Sequence, residues 1–195
     1  MDKSNIFNIC IGRQTGSGGK EIAKILGRIL NVPVYDKELI YIASKESGLS
    51  PEFFEKADER SSKGFMGSVF ALGNNYLNND KLFEIQSRVI VSLAEKGSSI
   101  FIGRCADYIL RDRENVLSIF ISADDEFRAK RVADSENMTL QEAQSFIKSN
   151  DKRREEYYNY YTFKRWGVAG SYDLCLNSSS LGIDKIIKYI HNIVN

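Results

Sequence analysis

Between a short apolar run and an amphipathic one, the chain carries Gly12-Arg13-Gln14-Thr15-Gly16-Ser17-Gly18-Gly19-Lys20. The run before it, Ile6 to Ile11, has the length and content of a buried strand. After it, Ile22, Ile25, Leu26, Ile29 and Leu30 recur at helical spacing and form one stripe, which ends at Asn31. The order is therefore strand, glycine loop, helix. A loop of this kind can turn successive backbone N–H groups toward phosphate oxygens, helped by the positive end of the helix that follows. Lys20 would add a full positive charge there, in a first helical turn that disfavours a cation unless an anion is present. The strict GxxxxGK[ST] pattern is not met, because its first glycine falls at Gln14 and Glu21 follows Lys20. The flanking strand and helix nevertheless supply the context that a phosphate loop requires.

The rest of the chain alternates in the same way. Val32 to Tyr35 reads as a second strand, and helical patterns follow from Lys37 to Ser47 and from the Ser50-Pro51 start with Phe53, Phe54 and Ala57 inward. Ser61 to Asp80, rich in Ser, Gly and Asn, is the expected mobile segment. Helical spacing resumes at Leu82, Ile85, Val89 and Leu93. Ser99 to Ile102, Val116 to Ile121 and Leu174 to Leu176 are bare apolar runs, as in parallel strands covered on both faces. Ser122 with Asp125 reads as a helix N-cap with an acidic third position, and Thr139 with Glu142 as a capping box. A last helix is expected to bury Ile183, Ile186, Ile187, Ile190 and Ile193. Such alternation predicts an α/β fold with an open parallel sheet and right-handed crossovers. No internal repeat is visible, and 195 residues suffice for one domain, 1–195.

Composition removes several function classes. Twenty-seven Lys and Arg against 26 Asp and Glu leave a net charge of +1, which argues against a nucleic-acid coat. No run approaches the roughly 20 apolar residues that span a bilayer, and no export signal opens the chain, so a cytoplasmic location is expected. Cys10, Cys105 and Cys175 lack metal or disulfide spacing, and His191 is the sole histidine. Cys10 and Cys175, in strands, are expected to be core thiols. Cys105, beside Arg104, is a candidate for a lowered pKa. The sequence does not reveal the oligomeric state.

Several segments together, GRQTGSGGKEIAKILGRILNVPVYDKELI, FIGRCADYIL, IFISADDEFRAKRV, DKRREEYYNYY and YDLCLNSSSLGIDKII, resemble in order the cytidylate kinase-like proteins. These are relatives of the P-loop nucleoside monophosphate kinases. The resemblance spans nearly the whole chain and is strongest in the glycine loop and in Tyr35-Asp36-Lys37-Glu38. It implies a three-layer P-loop NTPase fold with a five-stranded parallel sheet, a mobile acceptor-binding segment at about 37–80 and a lid at about 148–167.

What the resemblance implies for the site follows residue by residue. Gly16, Ser17, Gly18, Gly19, Lys20 and Glu21 would bind the donor. Arg104 would grip the acceptor phosphate, although Ile102 stands where the family usually carries an acid. Asp151 and Arg153 match the lid pattern; the lid's next arginine falls at Tyr157, and Arg154 is its candidate substitute. Asp36 and Lys37 fall in the acceptor site, with Lys37 and Glu38 replacing the family's serine and glycine. Ile22 stands where a threonine is usual, so Mg²⁺ would be held by phosphates and water, with Ser17 nearby.

The reading is an ATP-dependent phosphotransferase that moves a γ-phosphoryl group to a small phosphate acceptor such as a nucleoside monophosphate, with ATP and Mg²⁺. Catalysis would rest on Lys20, Arg104, Arg153 and Arg154, with Asp36, Lys37 and Asp151 in the acceptor site. Two alternatives stay open: a P-loop kinase of another small metabolite, and a nucleotide-binding regulatory module without phosphotransfer. Tyr157, Tyr158, Tyr160, Tyr161, Phe163 and Trp166 could stack nucleic-acid bases beside their basic neighbours. The near-zero net charge favours instead a lid helix packing its aromatics on the body.

Overall fold

The computed structural model describes residues 6–36 and 76–194. The helical patterns expected at 37–47 and 51–57, and all but the end of the expected mobile segment, lie outside them.

Five parallel strands form the sheet: β1 (Asn8–Arg13), β2 (Val34–Tyr35), β3 (Ser99–Ile102), β4 (Val116–Ser122) and β5 (Leu174–Asn177). Their order is β2-β3-β1-β4-β5, which puts the strand that feeds the glycine loop at the centre. Ile11 pairs with Ile102 on one side and with Ile119 on the other.

The helices are α1 (Gly19–Ile29), α2 (Tyr76–Lys96), α3 (Ala106–Ile109), α4 (Asp125–Glu136), α5 (Leu140–Thr162), α6 (Ser178–Leu181) and α7 (Ile183–Val194). Strand residues alternate between the two sheet faces, and each face takes its own helices. On one face Ile9, Ile11, Ile100, Ile102, Ile119 and Ile121 pack with Ile22, Ala23 and Leu26 of α1 and Ile186, Ile187 and Ile190 of α7. On the other, Cys10 and Phe101 pack with Ile85, Val89, Ile90 and Ala94 of α2. This is the three-layer α/β arrangement that the bare apolar strands imply. No helix among the described residues is long and apolar enough to cross a membrane.

Several local expectations change. Ser122 ends β4, and Asp124 is the N-cap of α4, because the strand pairs one residue beyond its apolar run, Ser122 with Asn177. The Thr139 box closes in both directions: Glu142 N–H donates to the threonine hydroxyl, and Thr139 N–H donates to the glutamate. Ile193 shares the spacing of the α7 stripe but is 53% exposed, and its neighbour Val194 packs against the core instead. Cys175 is exposed, not a core thiol, since β5 is an edge strand. Burial pushes the Cys105 thiol well up, against the expectation of a lowered value, and outweighs the effect of Arg104. Cys10 is raised for the same reason. A thiol-disulfide reagent at neutral pH should therefore modify Cys175 first, with Cys10 and Cys105 reacting only on unfolding; mass mapping of the labelled peptides checks this.

Candidate active site at the carboxyl ends of the central strands

The glycine loop runs from the end of β1 into α1, and neighbouring elements fasten it. Gln14 N–H donates to the Ile121 carbonyl, and Gln14 Oε1 accepts from Ala123 N–H, so the loop is stitched to β4. Gly16 has a φ of 79°, and a Cβ there would stand 2.8 Å from the Arg128 carbonyl, so a side chain fails on both conformation and space. Ser17 is fully buried. Its amide and hydroxyl both turn to the Gln14 carbonyl, and Ser178 Oγ donates to the Ser17 carbonyl. Ser17, read from the sequence as a donor-site residue near a metal, is here engaged in shaping the loop.

Gly18, in the left-handed conformation, is the N-cap of α1, and Ile22 N–H makes the first helical bond, to the Gly18 carbonyl. The amides of Gly19, Lys20 and Glu21 are thus the first-turn donors that a helix cannot satisfy itself. They open on a cavity of about 710 Å³ lined by Gly16, Gly18, Gly19, Lys20, Glu21 and Arg131 among others. Glu21 accepts from Arg131 at 2.7 Å, so its side chain is paired across the cavity rim.

A second cavity, of about 400 Å³, lies on the other side of Lys20. Arg104, Arg153, Asp36, Tyr157, Tyr158 and Trp166 line it. The two cavities share four residues: Arg13, Lys20, Asn150 and Arg154. The site is therefore two chambers with a common cationic wall, at the carboxyl ends of β1 and β3, where open α/β sheets bind ligands.

Each cation has an identifiable support. Lys20 Nζ is 2.7 Å from Asp36 Oδ2, and Arg13 is 3.6 Å from the other carboxylate oxygen. Arg104 follows Gly103 in a run of three left-handed residues, with φ of 68° at Gly103, 58° at Arg104 and 57° at Cys105. Two non-glycine residues in that conformation cost roughly 1–2 kcal/mol each. The bonds from Gly103 N–H to Ile11 and from Ala106 N–H to Gly103 hold the turn, which throws the Arg104 side chain into the cavity and starts α3. Arg153 bonds Asn150 on its own helix. Arg154 donates to the Arg13 carbonyl at 3.1 Å.

Asp151 is placed differently from the acceptor role that the sequence suggests. It lines neither cavity. Its carboxylate accepts the Thr15 N–H at 2.7 Å and pairs with the buried Arg128, which also donates to the Thr15 carbonyl. One residue of the loop, Thr15, is thereby held at both its N–H and its carbonyl, by α5 and α4. Lys37 lies outside the described residues. Arg13 is the member of the site that sequence reasoning missed; its signal was a cation closing the central strand.

The aromatic stretch packs largely on the body. Tyr158 and Tyr172 stack, Trp166 and Tyr172 meet Phe120, and Phe83 stacks on Tyr161 with centroids 4.1 Å apart. Tyr158 also donates to Asp107 at 2.7 Å, tying α5 to α3. Burial holds the Asp107 carboxyl above its ordinary value, despite that bond.

Asp36 shows the opposite balance. Burial alone would raise its pKa, but the Lys20 bond and the Arg13 charge outweigh it and hold the group below the usual carboxylate value. A depressed native pKa stabilises the fold above the unfolded value near 4, and that contribution disappears as pH falls through the native value. Asp36→Asn should consequently be less stable than the parent at pH 7, with the gap closing as pH drops below about 4. Denaturant midpoints across pH 3–7 check this.

Among the described residues, no group of three or more His, Cys, Asp or Glu could hold a metal ion.

The chain matches the profile of the Cytidylate kinase-like family over residues 8–180. It is 22% identical to a cytidylate kinase of Pyrobaculum islandicum over 182 residues, 92% of this chain and 88% of that one. A solved structure of an uncharacterized protein from Eubacterium ventriosum is 29% identical, with a TM-score of 0.74, covering 96% of this chain and 98% of that one. Shikimate kinase from Bacteroides thetaiotaomicron, 14% identical with a TM-score of 0.55 over 97% of this chain and 98% of that one, shares the fold. A central strand running into a glycine loop, a parallel sheet shared with P-loop kinases and a match over nearly the whole length converge: this chain belongs to the cytidylate kinase-like family.

Proposed function

We propose that the protein is an ATP-dependent phosphotransferase that passes a γ-phosphoryl group to a small phosphate-bearing acceptor of the nucleoside monophosphate kind. The observation that carries this is the pair of cavities meeting at Lys20 and Arg154, with the open first-turn amides of α1 facing one of them. The larger chamber takes the donor, whose phosphates meet the amides of Gly16, Gly18, Gly19, Lys20 and Glu21. Arg104 and Arg153 hold the acceptor phosphate in the smaller one. Arg154 lies over the seam, where charge develops on the group in transit. Asp36 orients Lys20, and Asp151 serves the loop without touching substrate.

Little covalent chemistry is required, because phosphoryl transfer is catalysed mainly by positioning and by neutralising charge. The residues fit a metal that arrives on the nucleotide: with no acidic cluster among the described residues to hold it alone, Mg²⁺ would be bound by phosphates and water, and when bound it neutralises phosphate charge. Residues 148–167, the second half of α5 and the turn beyond it, form the lid of this single-domain reading, 1–195.

Full-length protein incubated with ATP, Mg²⁺ and in turn CMP, dCMP, UMP and AMP should give a diphosphate with at least one acceptor. ATP binding by thermal shift without turnover on any acceptor would instead favour the regulatory module. Turnover confined to a non-nucleotide acceptor would favour the metabolite kinase.

A further inference from the structure

We infer that Arg13 is a catalytic residue that contacts the phosphoryl group in transit, an assignment that rests on the phosphotransferase reading above. It is one of four residues lining both cavities, so its position does not belong to donor or acceptor alone. As the last residue of β1 it closes the central strand of the sheet, paired to Ile121 in the adjacent strand. Its side chain lies over Gly103, where any Cβ would collide with Arg13 Nη1. The turn that follows β3 thus passes under the guanidinium at a glycine. Asp36 steadies one edge of the fork at 3.6 Å, and Arg154 reaches over to the Arg13 carbonyl. The outcome is a held arginine between two chambers, with a planar donor set suited to phosphate oxygens.

Electrostatics agree with that geometry. Burial, followed by the nearby Arg154 and Arg104 charges, pushes the Arg13 guanidinium down, and Asp36 only partly offsets this. Arg154 is lowered by burial as well. Crowded, half-desolvated cations repel one another, and an anion placed among them relieves that repulsion. The arrangement is complementary to a multiply charged group at the seam, which Arg13 and Arg154 both line.

The test uses Arg13→Met and Arg13→Lys in the full-length chain, with turnover on the best acceptor of the panel and with binding of ATP and of inorganic tripolyphosphate by calorimetry. The expected result is a fall of about 10²–10³-fold in kcat for Arg13→Met, the usual loss of one transition-state donor, with ATP affinity within about threefold. Arg13→Lys should recover part of the rate. A parent that turns over, with both variants within threefold of it, overturns the role of Arg13 and leaves the phosphotransferase reading standing. If the parent turns over no acceptor, that reading fails and the Arg13 assignment falls with it, tripolyphosphate binding then reporting only whether the cavities hold polyphosphate at all. Should Arg13→Met fail to fold, Arg13→Lys carries the same comparison, with a loss of at least tenfold in kcat expected and parental kcat overturning the proposal.

Discussion

Replacing Lys20 with Met should reduce turnover by about two to three orders of magnitude or more while leaving the fold intact. The stability half of this expectation follows from exposure: the Lys20 side chain is 50% exposed, and its pair with Asp36 is screened by water. Asp36 keeps Arg13 as a neighbour when the amine is gone. The activity half follows from place. Lys20 sits in the first turn of α1 and lines both cavities, where the proposed reaction would concentrate the negative charge of the transferring group. Methionine keeps an unbranched side chain of similar size and removes the ammonium group, with its charge and its donors. Saturation kinetics with the best acceptor, alongside thermal unfolding, check both halves; a parental rate would remove Lys20 from the catalytic set.

Asp151→Ala should have the largest effect on stability of any single site substitution considered. Arg128 is 6% exposed, and its guanidinium divides its bonds among Asp151, Asp125 and the Thr15 carbonyl. Asp125 is a weak substitute, because its side chain is 91% exposed. Removing Asp151 leaves a cation without its buried counter-charge and the Thr15 amide without its acceptor, and breaking such pairs costs about 3–5 kcal/mol. Partial access of water to Asp151 places the value near the lower end, a fall in Tm of roughly 6–12 °C for a chain of this length. Asp151→Asn keeps an acceptor for Thr15 and loses the charge, so it should fall between. Equal Tm for all three proteins would show that the clamp contributes nothing.

The parts of this molecule legible in the sequence are those written in local periodicity. β1 and α1 follow from five apolar positions and a stripe, and the Thr139 box from two residues three apart; the helix and the box form as expected, while β1 begins at Asn8 and runs on past its apolar run through Gly12 and Arg13. What stayed hidden depends on partners far along the chain. The Asp151 clamp joins residues 136 positions apart, and nothing near Asp151 in sequence distinguishes a carboxylate facing substrate from one facing the loop. Cys175 reads as a core thiol until the strand order places β5 at an edge. The short α3 escapes periodicity because it is a single turn, set up by the left-handed run before it. Arg13 was masked by its company, since a cation inside a glycine run looks like a spacer until the β3 turn is seen beneath it.

The 23 residues of α5 form one unbroken rod of about 34 Å. Near its middle, successive residues address different clients: Asn150 both chambers, Asp151 the loop, Arg153 the smaller chamber, Arg154 the seam. A helix cannot move one of these without moving the others. If the protein works as the proposed phosphotransferase, an attempt to retune it toward a new acceptor by shifting that rod would therefore alter its handling of the donor in the same stroke. Selectivity for donor and acceptor could then be separated only by changing side chains in place.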